Sequence, residues 1–145
     1  MKSRLFILSV LLSLFTFSVV SGQSGKKFVK AGNEFLSSKK YDDAVVQFTN
    51  AITAEPTNAS YYYMRGNAYE LAGKLNEARA DLEKALVFKA KDVPSLISLG
   101  RVCNKMGSYE DALNCLNRAK AIEKLNKELY PEKVISLLGL GLYDQ

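Results

Sequence analysis

The sequence predicts an all-α solenoid of stacked helix pairs, with three full repeats and a partial fourth unit or capping helix. Three observations carry that prediction. A pattern of apolar and small residues returns every 34 positions with no insertion or deletion. Within each copy the apolar residues recur at three- and four-residue spacing, which places them on one face of a helix. Glycine or proline marks places where a helix has to stop. The first copy carries Phe28, Gly32, Phe35, Tyr41, Ala44, Phe48 and Ala51. The second carries Tyr62, Gly66, Tyr69, Leu75, Ala78, Leu82 and Ala85, and the third Leu96, Gly100, Cys103, Tyr109, Ala112, Leu116 and Ala119.

The chain opens on a segment with a different logic. Lys2 and Arg4 precede an uncharged apolar run from Leu5 to Val20, followed by Ser21 and Gly22. That order is the one found in a secretory signal peptide, so residues 1–22 are expected to be removed and the mature chain to start at Gln23. Ser9, Ser13, Thr16 and Ser18 dilute the run, and it falls short of the ~20 apolar residues that span a bilayer. The protein is therefore expected in a periplasm, cell envelope or secretory lumen, with the signal segment as its one contact with a membrane.

Residues 25–58 form the first repeat, with one helix over 26–38 and a second over 42–54. The short turn between them suits antiparallel neighbours. Pro56 closes this repeat, and Asn58 is placed to cap the first helix of the second repeat, residues 59–92. Gly73 and Gly107 sit where a helix favours a left-handed C-terminal residue. Asp92 followed by Pro94 opens the third repeat, residues 93–126, and Ser108 with Asp111 reads as a capping pair for its second helix. Gly32, Gly66 and Gly100 share one phase in the first helices, and Ala44, Ala78 and Ala112 share one in the second. Small residues are expected to face small residues there, letting two backbones approach.

The tail, residues 127–145, continues the register. Tyr130 takes the slot of Phe28, Gly141 that of Gly107, and Tyr143-Asp144 that of Tyr41-Asp42. From Val134 to Leu142 the one polar residue is Ser136, whereas a capping helix should be polar on its outer face. The favoured reading is a chain that breaks off inside a fourth repeat, as the N-terminal part of a larger exported protein. The competing reading is a capping helix over 128–140, with self-association through its apolar face.

Composition excludes several functions. The chain has no histidine, which removes Ser-His-Asp and Cys-His nucleophiles and the common zinc sites. It has no glycine-rich phosphate loop or dinucleotide fingerprint, so no cofactor or metal is expected. Asp42-Asp43 and Glu110-Asp111 open second helices, where negative charge offsets the helix dipole; they are not read as an acid–base pair. The net charge of +5 falls by two once Lys2 and Arg4 are removed, a balance unlike that of a nucleic-acid binder. Cys103 occupies an inward slot and Cys115 lies beside the inward slots of its helix, and whether they bridge stays open.

The large-apolar, small-Gly, aromatic, Ala, Leu or aromatic, Ala, Pro pattern at this period resembles the tetratricopeptide repeat, over residues 25–126. Arg65 departs from it in an apolar slot, Cys103 in an aromatic slot, and Ala90 and Lys124 where Pro56 stands. The resemblance implies a right-handed superhelix whose first helices line a concave groove for a peptide or partner helix. By that mapping the partner-binding residues are Lys30, Asn33, Tyr63, Met64, Asn67, Ile97, Arg101 and Asn104, flanked by Glu70, Ser98 and Lys105. Asn33, Asn67 and Arg101 repeat one slot and form a ladder able to bond a peptide backbone. Tyr63, Met64 and Ile97 supply an apolar centre. Relatives that grip the C-terminal carboxylate of heat-shock chaperones use Lys and Asn residues at five slots. Here Asn33 alone matches, with Val29, Met64, Pro94 and Ser98 in the others, so that activity is not expected. The expected function is a non-catalytic protein-interaction scaffold. The alternative is a chaperone-like module holding unfolded clients.

Overall fold

The computed structural model describes residues 25–142, which contain helices and turns and no strand. Helix α1 covers 25–37, α2 Tyr41–Ala54, α3 Ala59–Leu71, α4 Leu75–Phe88, α5 Val93–Lys105, α6 Tyr109–Ile122 and α7 Leu129–Gly139. The expected leader over residues 1–22 and the Tyr143-Asp144 slots lie outside the described residues. Each helix from α2 onward packs on the next, and the α3–α4 and α5–α6 pairs make the closest associations. First helices also meet one another, α3 with α5 and α5 with α7. The result is an all-α solenoid.

Local chemistry explains where the helices start and stop. Asn58 Oδ1 accepts from the Ser60 amide at 3.1 Å, and Asp92 Oδ2 accepts from the Ser95 amide at 3.2 Å, with Pro94 in the first turn. Each satisfies one of the amides that a helix start leaves unpaired. Ser108 makes no side-chain cap, so the expected Ser108–Asp111 capping pair is absent; Ser108 sits at φ −86° and ψ 66°, and its own amide bonds the Cys103 carbonyl at 2.9 Å. The first helices end on a left-handed residue. Gly73 and Gly107 both have φ +75°, and Lys39 in the same slot of the first unit has φ +56°. Gly141 repeats the turn at φ +72°, and Leu142 donates to the Leu137 carbonyl at 2.9 Å, as Lys74 does to Tyr69.

Each of the three phased glycines admits a large side chain from the second helix of its own unit. A Cβ at Gly32 would lie 2.6 Å from Phe48, one at Gly100 2.7 Å from Leu116, and one at Gly66 3.0 Å from Leu82. Small facing small is therefore corrected to small facing large. At Gly66 a backbone approach accompanies it, 3.3 Å from the Ala78 carbonyl oxygen. Ala44, Ala78 and Ala112 are fully buried one turn earlier, where they leave room for Phe48, Leu82 and Leu116 to turn inward. A continuous core runs through α4, α5 and α6 and takes in Leu129 of α7. Phe48 and Ile52 anchor two smaller clusters around α2 and α3.

Helix α7 follows the same stacking. Leu129 and Ser136 face the preceding unit and are buried, in the slots of Tyr61 and Ala68. Its other face carries Tyr130, Val134, Ile135 and Leu138, all roughly half exposed, and Gly139 closes on the Tyr109 ring. Val134 occupies the slot held by Gly32, Gly66 and Gly100, so this helix lacks the notch into which a large side chain fits in the other three.

The spacings at the glycines rank two substitutions. Replacing helical Gly by Ala gains about 1 kcal/mol of helix propensity. At Gly66 that gain should nearly cancel the contact with Leu82. At Gly100 the tighter approach to Leu116 should leave a net loss of about 1–2 kcal/mol. Urea denaturation of Gly66→Ala and Gly100→Ala checks this, and a Gly100→Ala midpoint equal to or above that of Gly66→Ala would contradict the packing.

Candidate partner-binding face

The first helices α1, α3 and α5 carry the expected binding residues, in three different conditions. Lys30 and Asn33 on α1 are exposed. Tyr63, Met64 and Asn67 on α3 are half-buried, with Met64 packed against the two smaller clusters and Tyr63 against the main core. Asn67 Oδ1 is buried with no hydrogen-bond partner in the protein. An acceptor left in that state costs about 1–3 kcal/mol.

The α5 end differs from the expectation. Ile97 is 1% exposed and belongs to the core, so it supplies no apolar surface to the groove. The cause is the enclosure of α5, which packs against α4, α6 and α7 and buries every residue from Ser95 to Gly100. Asn104 is also buried, and its amide is already used. Its nitrogen donates to the Glu132 carbonyl at 2.9 Å and the Glu132 carboxylate at 3.2 Å, and its oxygen accepts from Ser136 Oγ at 2.7 Å. Asn104 anchors α7 and is not open to a ligand.

Arg101 is half-buried and forms a forked pair with Glu70 of α3, at 2.9 and 3.0 Å, and its Nη2 also donates to Ser98 Oγ at 3.2 Å. Lys105 donates to the same Glu70 carboxylate at 2.7 Å. Glu70 is itself buried. Burial alone would raise its carboxyl, but the hydrogen bonds from Arg101 and Lys105 outweigh it and hold Glu70 below the usual glutamate range. Beside this cluster lies a cavity of about 200 Å³ lined by Arg101, Asn104, Lys105, Glu132 and Ile135.

A second ion pair resolves the departure at Arg65. Its guanidinium grips Asp81 of α4 at 2.6 and 2.8 Å and donates to Thr49 Oγ1 at 3.0 Å. Tyr62 and Tyr69 lie within 6 Å of the guanidinium carbon. Asp81 is buried, and its hydrogen bond is the main reason the Arg65 guanidinium is held above its ordinary value. The signal was present in the sequence: a cation in an apolar slot and an acid sixteen residues on, the separation that also joins Gly66 to Leu82.

The two cysteines are free thiols and both are buried. Cys115 is thus more enclosed than its position beside the inward slots implied. Both line a cavity of about 320 Å³ among α4, α5 and α6. Burial pushes the Cys103 thiol up to about 11 and raises Cys115 as well, which suits packing groups better than nucleophiles. Among the described residues no cluster of His, Cys, Asp and Glu could hold a metal ion, and no helix is long and apolar enough to cross a membrane.

The chain matches family models for the TPR repeat over residues 32–73 and for the tetratricopeptide repeat over 59–89 and 93–124. Translocon at the outer membrane of chloroplasts 64 from Pisum sativum is 31% identical over 111 residues, 76% of this chain and 19% of that protein. DnaJ homolog subfamily C member 7 from Mus musculus is 26% identical over 110 residues, 76% of this chain and 22% of its own length. The chain thus spans about a fifth of the length of the curated relatives it matches. Among solved structures, the Arabidopsis OM64 TPR domain superposes with a TM-score of 0.77 at 23% identity, covering 80% of this chain and 96% of that one. The first TPR of Spaghetti (RPAP3) bound to HSP90 peptide SRMEEVD gives 0.79 at 23% identity, covering 82% and 94%. These likenesses establish the fold.

The lowered Glu70 carboxyl has a measurable consequence. Because its folded value lies below its unfolded value, its contribution is complete above the unfolded range, about pH 4.3, and is lost as pH falls through the folded value. Glu70→Gln should therefore be less stable than wild type at pH 7 by about 1–2 kcal/mol. The gap should narrow between about pH 5 and pH 3. Thermal melts across that range check it, and a gap independent of pH would contradict the pairing.

Proposed function

Since the chain belongs to the tetratricopeptide-repeat family, we propose that it is a non-catalytic interaction scaffold whose first-helix face binds an extended peptide or partner helix. The observation that carries this reading is the repetition of Asn33 and Asn67 in one slot on α1 and α3, with Asn67 Oδ1 lacking a donor; on α5 the slot is held by Arg101, which Glu70 engages. Amides at one repeat's spacing can bond a peptide main chain, and half-buried Tyr63 and Met64 offer an apolar anchor beside them. The RPAP3 structure, solved with an HSP90 peptide, lends support to a peptide as the ligand class. Carboxylate gripping of that sort is not part of the proposal, because Val29, Met64, Pro94 and Ser98 hold slots that need cations and amides.

Peptides selected from a random library on the purified chain test the reading. The Met64→Ala/Asn67→Ala variant should bind them at least tenfold more weakly, about 1.4 kcal/mol. Unchanged affinity would remove this face as the site. Suppression of thermal aggregation of several unrelated proteins, equally by wild type and variant, would favour the client-holding module instead.

The same proposal places the chain at the N-terminal end of a larger exported protein. Support comes from the charged, apolar, small-residue order of residues 1–22 and the left-handed turn at Gly141. The half-exposed apolar face of α7, in a slot that a second helix covers in the other units, points the same way. Intact-mass and N-terminal sequencing of the protein from its native source check both parts. A start at Gln23 and a mass above 16.1 kDa are expected. A protein beginning at Met1 with a mass of 16.1 kDa would refute them.

A further inference from the structure

We infer that Glu70 is the specificity-determining residue of this face: its carboxylate holds Arg101 and Lys105 where an acidic group of a ligand would otherwise bind, and closes the α5 end of the groove to acidic peptides. The inference rests on the proposed peptide-binding role of the first helices. Arg101 and Lys105 are the cations that the groove presents at this end, on one side of α5 and one turn apart. Both point their donors at one carboxylate, with Arg101 Nε and Nη2 and Lys105 Nζ all within 3.0 Å of Glu70. The fork is the geometry with which arginine takes a ligand carboxylate.

Competition at this point is unequal. Glu70 is fixed on α3 with its side chain 5% exposed, whereas an incoming carboxylate must arrive from solution. A tethered group acts at an effective concentration of roughly millimolar or more, so a free acidic peptide at micromolar concentration cannot displace it. Charge points the same way. Glu70 pairs with both cations, and Glu132, which lines the neighbouring cavity and accepts from Asn104, adds a second negative charge, so two positive and two negative groups balance around it. With about 200 Å³ and half-exposed Ile135 in its wall, that cavity suits an uncharged side chain. Removing the charge of Glu70 would leave a net positive pocket whose arginine fork is no longer held by an anion.

Calorimetric titration of the full chain with two probe peptides tests this. One is the acidic heptapeptide acetyl-SQMEEVD with a free C-terminus, and the other its uncharged counterpart acetyl-SQMQQVN-amide. Wild type should bind the acidic probe no more tightly than the uncharged one. Glu70→Gln, which keeps an acceptor for Arg101, should bind the acidic probe at least tenfold more tightly than its counterpart. That preference should vanish in Glu70→Gln/Arg101→Gln and weaken with salt. Circular dichroism verifies folding, and Glu70→Ala reads the same ratio should the glutamine variant fold poorly. A tenfold acidic preference in wild type overturns the inference, and so does the absence of any acidic preference in both Glu70 variants. Either result differs from a failure of the groove reading, which would show as library peptides insensitive to Met64 and Asn67.

Discussion

The structure depends on one steric arrangement repeated three times: a glycine in the first helix of a pair makes room for a large side chain from the second. Phe48, Leu82 and Leu116 sit where a Cβ would collide, at 2.6 to 3.0 Å. The glycine costs about 1 kcal/mol of helix propensity. The fully buried ring or leucine it admits contributes more than that, about 1.5–3 kcal/mol for a large apolar side chain. The position of that side chain fixes the spacing of the two helices. The spacing in turn sets which residues of the first helix are left on the opposite face, so the face proposed for binding is a by-product of the notch.

How much of this was legible in the sequence varies with the kind of interaction. Helix pairs, left-handed glycines and the caps at Asn58 and Asp92 were all readable, because each is decided within a few residues of chain. What the glycines face is not readable in the same way. Phase identifies a close approach but does not say whether backbone or side chain fills it. The exclusion of Ile97 and Asn104 from the groove was illegible for another reason. Burial of α5 comes from three neighbouring helices together, and α7, which consumes the amide of Asn104, had no place in a slot-by-slot mapping of the groove. Glu70 falls on that face by its slot, but its two cations belong to the next unit, and the pattern alone does not pair them.

The two ion pairs show how a repeat array handles polar groups that its pattern does not call for. Arg65 enters an apolar slot and is tolerated because Asp81, itself buried, meets it with two hydrogen bonds. Neither residue would be comfortable alone, since a buried charge without its partner is strongly destabilising. Glu70 is satisfied from outside its own unit. One pair therefore stabilises a helix hairpin and the other joins two hairpins.

That difference bears on how such arrays lengthen and shorten over time. Arg65 and Asp81 lie within one 34-residue module and would be copied together in any duplication of it, so the daughter unit would inherit a working pair. Glu70 and its cations straddle a junction. Inserting a module between them would strand an acid on one side and two bases on the other. The seam between the second and third hairpins is thus a place where genetic rearrangement meets electrostatic resistance from a buried carboxylate.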